Sequence, residues 1–349
     1  MNNIYHIIGV MSGTSLDGVD LVKCIIRKDK TWKYKIESHE TIKYSKYWYN
    51  KLKYLHLKTH AEIQKADEEY GAFLGEKINN HIIQNNVKCD YISSHGHTIF
   101  HQPKNSLTLQ IGNGRIISDI TKITTINNFR QLDVKLKGQG APLVPIGDSL
   151  LFPEYKYCLN LGGFANISFK ENNKIIAFDI CPVNYVLNFL SNKKGLKYDN
   201  FGKLSRSGTI NTKLLQKLNN LNFYNLNYPK SLSREWVEIY IYPILNKQDL
   251  SIEDQLCTFC EHISIQIGKF LKDNEVLITG GGAMNKYLID RLSTKSSSKL
   301  IIPEKKLINY KEALIFAFLG VLRLKNINNC LKSVTGAKRN SCSGDIYTK

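Results

Sequence analysis

Apolar positions alternate with polar ones through the first forty residues in the period of strands. Tyr5 to Val10 reads as one strand, a Gly- and Ser-rich turn covers Met11 to Gly18, and Val19 to Arg27 and Trp32 to Tyr44 complete a β-meander. From His60 to Asn85 the period changes to three and four, with Ile63, Ala66, Tyr70, Phe73, Leu74, Ile78 and Ile82 on one helical face. Short strands are predicted at Tyr91 to Ser94, Leu107 to Ile111 and Ile123 to Ile126.

The second half repeats the theme. Tyr157 to Leu161 is strand-like and runs into Gly162-Gly163, and Asn166 to Lys170 and Lys174 to Asp179 flank an Asn-Asn turn as a hairpin does. Helical periods follow near Pro182 to Leu190, Asn211 to Leu218, Arg234 to Ile241 and Ser251 to Lys272. A buried strand, Glu275 to Thr279, leads into Gly280-Gly281-Gly282 and another helix, and Tyr310 to Leu324 closes the pattern. The expectation is two related α/β domains of mixed sheet plus helices, 1–129 and 130–336, with a tail from about 337 to 349 returning to the first. No low-complexity linker separates them, which predicts a hinge and a cleft.

Composition narrows the class. With 349 residues, 42% apolar and 22% charged, the chain has enough to bury a core, so disordered and fibrous classes are excluded. The net charge of +18 suits a nucleic-acid binder, a membrane-surface protein or an enzyme for anionic substrates. Ten basic residues against three acidic ones fall between Arg27 and Lys58, but the other lysines are scattered, and no RNA- or DNA-recognition motif accompanies them. No signal peptide pattern and no apolar run of about 18 residues is present, so a cytoplasmic protein without a membrane span is expected. Eight cysteines are then reduced thiols, and Cys257-x-x-Cys260, inside a helical pattern with no second pair, reads as packing.

Three glycine turns carry the candidate chemistry. Gly13-Thr14-Ser15-Leu16-Asp17-Gly18-Val19-Asp20 combines glycines that let backbone approach a ligand, hydroxyls for phosphate oxygens and a carboxylate suited to hydrated Mg²⁺. No G-K-[ST] follows, so it is not a Walker loop. Gly162-Gly163 lies at a strand end, and Gly280-Gly281-Gly282 precedes a helix, where free amides favour an anion or a nucleotide.

The ordered motifs M-S-G-T-S-L-D-G-V-D, S-H-G-x-T, L-Q-I-G, G-Q-G-A-P-L-V-P, N-x-G-G-x-A-N-I-S, F-D, G-G-G-A-x-N and S-V-T-G-A, from about Ile8 to Tyr347, resemble the anhydro-N-acetylmuramic acid kinase family. The resemblance implies two ribonuclease H-like domains of the actin/hexokinase/heat-shock-70 type that bind ATP and Mg²⁺. It implies attack of water on the 1,6-anhydro ring with phosphorylation of O6, giving N-acetylmuramic acid 6-phosphate and ADP for cell-wall recycling. It also suggests a homodimer.

By position, the resemblance makes Gly13 to Asp20 the first phosphate loop, with Asp17 near the metal. Gly162 and Gly163 become the second phosphate loop, and Gly280, Gly281 and Gly282 the nucleotide-side turn. Asp179 matches the general base and Glu312 an acidic residue assisting it. Arg130 suits a carboxylate or phosphate oxygen of the substrate, with His95 and Asn166 as further sugar-pocket residues.

Departures from the family pattern gather beside the base. The usual F-D-T-G-P-[GA]-N reads Phe178-Asp179-Ile180-Cys181-Pro182-Val183-Asn184, which predicts crowding and, were positive φ required at Cys181, strain. Gln is expected where His97 stands, Asp at Asn113 and Thr-Gly at Leu232-Ser233. An ATP-binding homologue of weakened turnover, serving as sensor or scaffold, is therefore the alternative reading.

Overall fold

The computed structural model describes residues 3–13, 16–247 and 249–348. Twelve strands among them form two mixed sheets. In the first, β1 (Ile4–Ser12), β2 (Val19–Lys28) and β3 (Trp32–Ile42) are the antiparallel meander, and β4 (Tyr91–Gln102) joins β1 in parallel. β6 (Thr124–Asn127) extends the sheet in parallel beyond β4, β5 (Leu107–Ile111) pairs with β4, and β12 (Asp345–Tyr347) closes the edge against β6. In the second sheet β7 (Tyr157–Leu161), β8 (Phe164–Glu171) and β9 (Lys174–Pro182) are the meander, followed in parallel by β10 (Glu275–Thr279) and β11 (Lys299–Ile301). The core order β3-β2-β1-β4-β6 therefore recurs as β9-β8-β7-β10-β11.

The helix His60–Asn85 shows why its bounds were legible. Thr59 and Glu62 make a capping box, Asn86 ends the helix in the left-handed conformation, and Ile63, Ala66, Tyr70, Leu74 and Ile78 bury against Ile8, Val10 and Leu21 of the sheet. Thr59→Ala is expected to lower stability by about 1 kcal/mol, read as a shift in the denaturant midpoint without a change in slope.

The chain divides into two compact units, residues 1–151 with 310–349, and 152–309. The expected boundary at 129/130 is thus corrected, and segments 130–151 and 310–336 belong to the first unit. Packing gives the reason. Gly9 of β1 is so close to the helix Lys305–Leu324 that a Cβ there would lie 2.0 Å from the Ala313 carbonyl oxygen, and Ser93 of β4 donates to the Phe316 carbonyl at 2.5 Å. Buried Asp133 accepts from Thr335 Oγ1 at 2.8 Å and from the Gly140 amide at 2.8 Å, tying both segments together. The second unit has its own core, in which Leu159, Ile167, Phe178 and Ile278 of the sheet meet Phe259, Ile263 and Ile267 of the helix Ile252–Gly268. Cys257 and Cys260 lie buried within that helix. No helix among the described residues is long and apolar enough to cross a membrane.

Candidate active site

In the second unit, cross-strand pairing lines up polar residues over four strands. Thr279 of β10 is opposite Asn160 of β7, Asn160 opposite Asn166 of β8, and Asn166 opposite Asp179 of β9. Directly opposed residues share a sheet face, so this row lies on one face of the sheet. A β-bulge aims its last member: Asn166 pairs with Asp179 and Ala165 with Cys181, leaving Ile180 unopposed. Asp179 therefore sits inside β9, which runs on to Pro182, and not at the strand end as its sequence context predicted.

The Leu232 amide donates to Asp179 Oδ2 at 2.9 Å, and the Asp179 amide donates to the Lys230 carbonyl at 3.0 Å. Burial raises the carboxyl above its ordinary range, and the Leu232 hydrogen bond opposes that rise. The substituted segment does not crowd this group. Ile180, Cys181 and Val183 pack into the hydrophobic core, and Cys181 is extended strand opposite Ala165, so the expected positive-φ strain is absent there. The helix expected from Pro182 begins at Asn184.

Gly162 and Gly163 turn between β7 and β8 and are bound to the start of the helix Asn184–Asn192. The Gly163 carbonyl accepts from the Val183 amide at 2.8 Å and the Gly162 carbonyl from the Asn184 amide at 3.2 Å. A Cβ on Gly163 would meet nothing nearer than Tyr185 Cβ at 3.9 Å, so the turn leaves space over its backbone. Gly280 has φ +81°, and a Cβ there would press on Asn160 Oδ1 and Leu161 at 2.7 Å; one on Gly282 would meet Leu161 Cβ at 2.7 Å. A Cβ on Gly281 would meet only Asn184 Nδ2, at 3.5 Å, an ordinary contact. A short 3₁₀ turn, Gly281–Met284, follows, and the α-helix Lys286–Ser293 starts later with Asn285 as its own cap, which corrects the expectation of an α-helix directly after the glycines.

Gly281 also borders a cavity of about 360 Å³ lined by Asn184, Asn188, Tyr198, Phe201, Met284 and Lys305 among others. None of these was a sequence candidate. Asn184 alone carried a signal, as the last residue of the F-D pattern, whereas the aromatic pair comes from the stretch around the 3₁₀ turn Asn200–Gly202, which reaches the cavity only through tertiary packing. Phe201 is held at φ 57°, a strained setting for an aromatic residue of the kind that collects at ligand sites.

The first unit holds the other candidates. Thr14 and Ser15 lie outside the described residues. Gly13 accepts from the Leu16 amide at 3.3 Å, Leu16 has φ 58°, and a Cβ on Gly18 would lie 2.5 Å from the Ile42 carbonyl oxygen, so glycine is required at position 18. Val19 is buried, Asp17 is exposed, and Asp20 accepts from Thr41 Oγ1 at 2.6 Å. Burial raises Asp20, with Thr41 opposing and Asp17 adding to the rise. Ser12, the first hydroxyl of the motif, is turned inward and is committed to Tyr44 and His97.

Arg130 is fixed at two points, donating from Nε to His95 Nε2 at 3.0 Å and from Nη1 to the Gly140 carbonyl at 2.7 Å. His95 Nδ1 is 2.9 Å from the Gly96 carbonyl, so it carries the proton and Nε2 is the acceptor. Both nitrogens are thereby used within the protein, and His95 supports Arg130 instead of facing a sugar. Glu312 keeps solvent access while protein packs closely around it. That crowding raises its carboxyl, and Arg130 and Lys311 pull it back. Lys311 itself forms a buried pair with Asp148 at 3.0 Å. The structure thus groups Glu312 with Arg130 and Asp20 in one unit, and Asp179 with Asn166 and Leu232 in the other.

Glycine turns that follow strands in both units, together with carboxylates whose protons are held more tightly than usual, are the features of a phosphate-handling enzyme built on a duplicated α/β fold. A family profile described as "Anhydro-N-acetylmuramic acid kinase" matches residues 5–349, and the chain belongs to that family. A relative of that name from Pseudomonas syringae pv. syringae is 31% identical over 367 residues, covering 98% of this chain and 99% of the relative. Another, from Crocosphaera subtropica, is 33% identical over 387 residues, covering 98% of each. Among solved structures, component A of the Acidaminococcus fermentans (R)-2-hydroxyglutaryl-CoA dehydratase superposes with a TM-score of 0.46 at 14% identity, over 90% of this chain and 96% of that one.

Proposed function

We propose that the protein opens 1,6-anhydro-N-acetylmuramic acid with water and transfers the γ-phosphoryl group of ATP to O6. The observation that carries the reading is the cross-strand row ending in Asp179, on a chain whose family match runs over residues 5–349. The substrate's chemistry explains why a base of this kind is needed. In a 1,6-anhydro sugar O6 is an ether oxygen with no proton to lose, so it can accept a phosphoryl group only as the C1–O6 bond breaks. Water bonds to C1, the C1–O6 electron pair passes to O6, O6 bonds to the γ-phosphorus, and ADP leaves. The proton released by water goes to Asp179.

A carboxylate whose proton affinity is raised by burial, and whose Oδ2 is held by the Leu232 amide, suits that role. Asn166, its exposed neighbour across the strands, is placed to orient the sugar or the water. The Gly162-Gly163 turn supports phosphate approach, and the cavity beside Gly281, with Tyr198 and Phe201 at its wall, has the size for a nucleoside. Arg130 presents its remaining donors beside Glu312, suited to the lactyl carboxylate or a phosphate oxygen. Mg²⁺, when bound near Asp17, would spread the negative charge of the transferring group. The reading places the enzyme in the cytoplasm, where ATP is available.

The direct test is sugar-dependent ADP formation by the purified protein with ATP and Mg²⁺, with the 6-phosphate product identified by mass. ATP binding without sugar-dependent ADP would sink the proposal. The pH profile supplies a second check. As pH falls through the raised pKa of Asp179, the group takes a proton and can no longer accept one, so kcat/KM is expected to fall at a pH above the ordinary aspartate value of about 3.9. Glu312 is raised in the same direction, so the limb reports both groups. An acid limb at the ordinary value would contradict the assignment.

A further inference from the structure

Behind the first glycine turn, four side chains from separate elements meet in a hydrogen-bonded chain. Ser12 Oγ, at the last residue of β1, lies 2.6 Å from the Tyr44 hydroxyl and 2.7 Å from His97 Nδ1 of β4. The Tyr44 hydroxyl in turn lies 2.5 Å from that of Tyr70, which is wholly buried on the helix His60–Asn85. A register shift between Val10 and Ser12 in the β1–β4 pairing is what brings Ser12 opposite His97.

The chain has a self-consistent direction. Burial pulls the His97 imidazole down to about 4, so it is neutral at physiological pH, and burial raises both phenols, which keep their protons. With Tyr70 donating to Tyr44, Tyr44 to Ser12, and Ser12 to a bare His97 Nδ1, each of the three hydroxyl protons serves one link. In this sense the neutral imidazole carries its proton on Nε2. His97 is thus the terminal acceptor that fixes the sense of the whole chain. Its effect falls on Ser12, whose hydroxyl is locked inward immediately before Gly13 opens the turn.

We propose that this chain sets the conformation of the first phosphate turn and that His97 is a positioning residue for ATP, an inference that rests on the nucleotide reading above. The strained Leu16 and the close approach of Gly18 to Ile42 describe a turn that has to be held in place, and the only side chain of its entry strand adjoining it is Ser12. The chain anchors that side chain to β4, to the segment after β3 and to the long helix at once.

The test uses the full chain and two readouts, the ATP dissociation constant by calorimetry and amide hydrogen exchange over residues 13–20. His97→Phe removes the acceptor and leaves the buried Ser12 proton unpaired; ATP affinity is expected to fall about tenfold or more, with faster exchange in the turn. His97→Gln offers a carbonyl acceptor and is expected to return affinity to within about threefold of wild type. Tyr44→Phe, nearly unchanged in size, breaks the chain at its centre and is expected to act as His97→Phe does. A purely structural role would lower the melting temperature in all variants with ATP affinity unmoved and no rescue by Gln. Unchanged affinity and exchange in the Phe variants would overturn the proposal, and if His97→Phe does not fold, Tyr44→Phe decides alone. If the wild type binds no ATP, the nucleotide reading fails, while the exchange comparison still decides whether the chain sets the turn.

Discussion

Asp179→Asn is expected to lower sugar-dependent ADP formation by about 10²- to 10⁴-fold while leaving ATP binding and the melting temperature near those of the wild type. The selectivity follows from the local structure. Asparagine has the same shape, and its carbonyl oxygen can still accept from the Leu232 amide as Asp179 Oδ2 does at 2.9 Å, so the strand and the 228–232 segment stay joined. The pairing with Asn166 depends on backbone and is unaffected. What is lost is the capacity to take a proton from water. Because O6 of the anhydro sugar has no proton of its own, loss of the base stalls ring opening and phosphorylation together. Neither half-reaction should survive: product analysis should find no ring-opened sugar lacking phosphate. Turnover within a few-fold of wild type would remove Asp179 from the mechanism and shift attention to the carboxylates of the first unit, Glu312 and Asp20.

What could be read beforehand depended on whether a feature is local. The helix His60–Asn85 was delimited by its period and by Thr59 and Asn86, all within one stretch of chain. β7 and β10 were found because each is a short apolar run ended by glycine. β4 was predicted to stop at Ser94 and runs to Gln102, since the polar residues that break its alternation, His95 and His97, are buried by partners far along the chain, Arg130 and Ser12. The bulge at Ile180 is a property of pairing between β8 and β9 and leaves no mark in either strand alone. For the same reason the apolar Ile180-Cys181-Pro182-Val183 segment looked obstructive in sequence, although the fold directs it into the core. The unit boundary was misplaced because helix residues 310–324 return to β1 and β4 after 158 residues of the second unit, a connection that only packing reveals. The three glycine turns stood out in the sequence, but which glycine is packed tightly against its neighbours and which has room for a Cβ could not be read there.

That distinction gives the sharpest contrast among the site's glycines, between Gly280 and its neighbour Gly281. Gly280→Ala is expected to destabilise the protein by about 2–4 kcal/mol, the sum of left-handed strain and overpacking. Its φ of +81° disfavours any side chain, and the new Cβ would lie 2.7 Å from Asn160 Oδ1 and from the Leu161 backbone, with no flexible group able to yield except the Asn160 amide. Moving that amide disturbs the row from Thr279 to Asp179, so turnover should fall with stability. Gly281→Ala should behave oppositely. Its Cβ would make only an ordinary contact, with Asn184 Nδ2 at 3.5 Å, so chemical denaturation should show almost no loss. The added methyl would instead occupy the wall of the 360 Å³ cavity, and the dissociation constant for ATP should rise. Calorimetry and denaturant melts on the two variants separate the cases. A Gly281→Ala protein that binds ATP as tightly as the wild type would place the nucleotide elsewhere, whereas equal destabilisation of both variants would mean that the whole glycine run is structural.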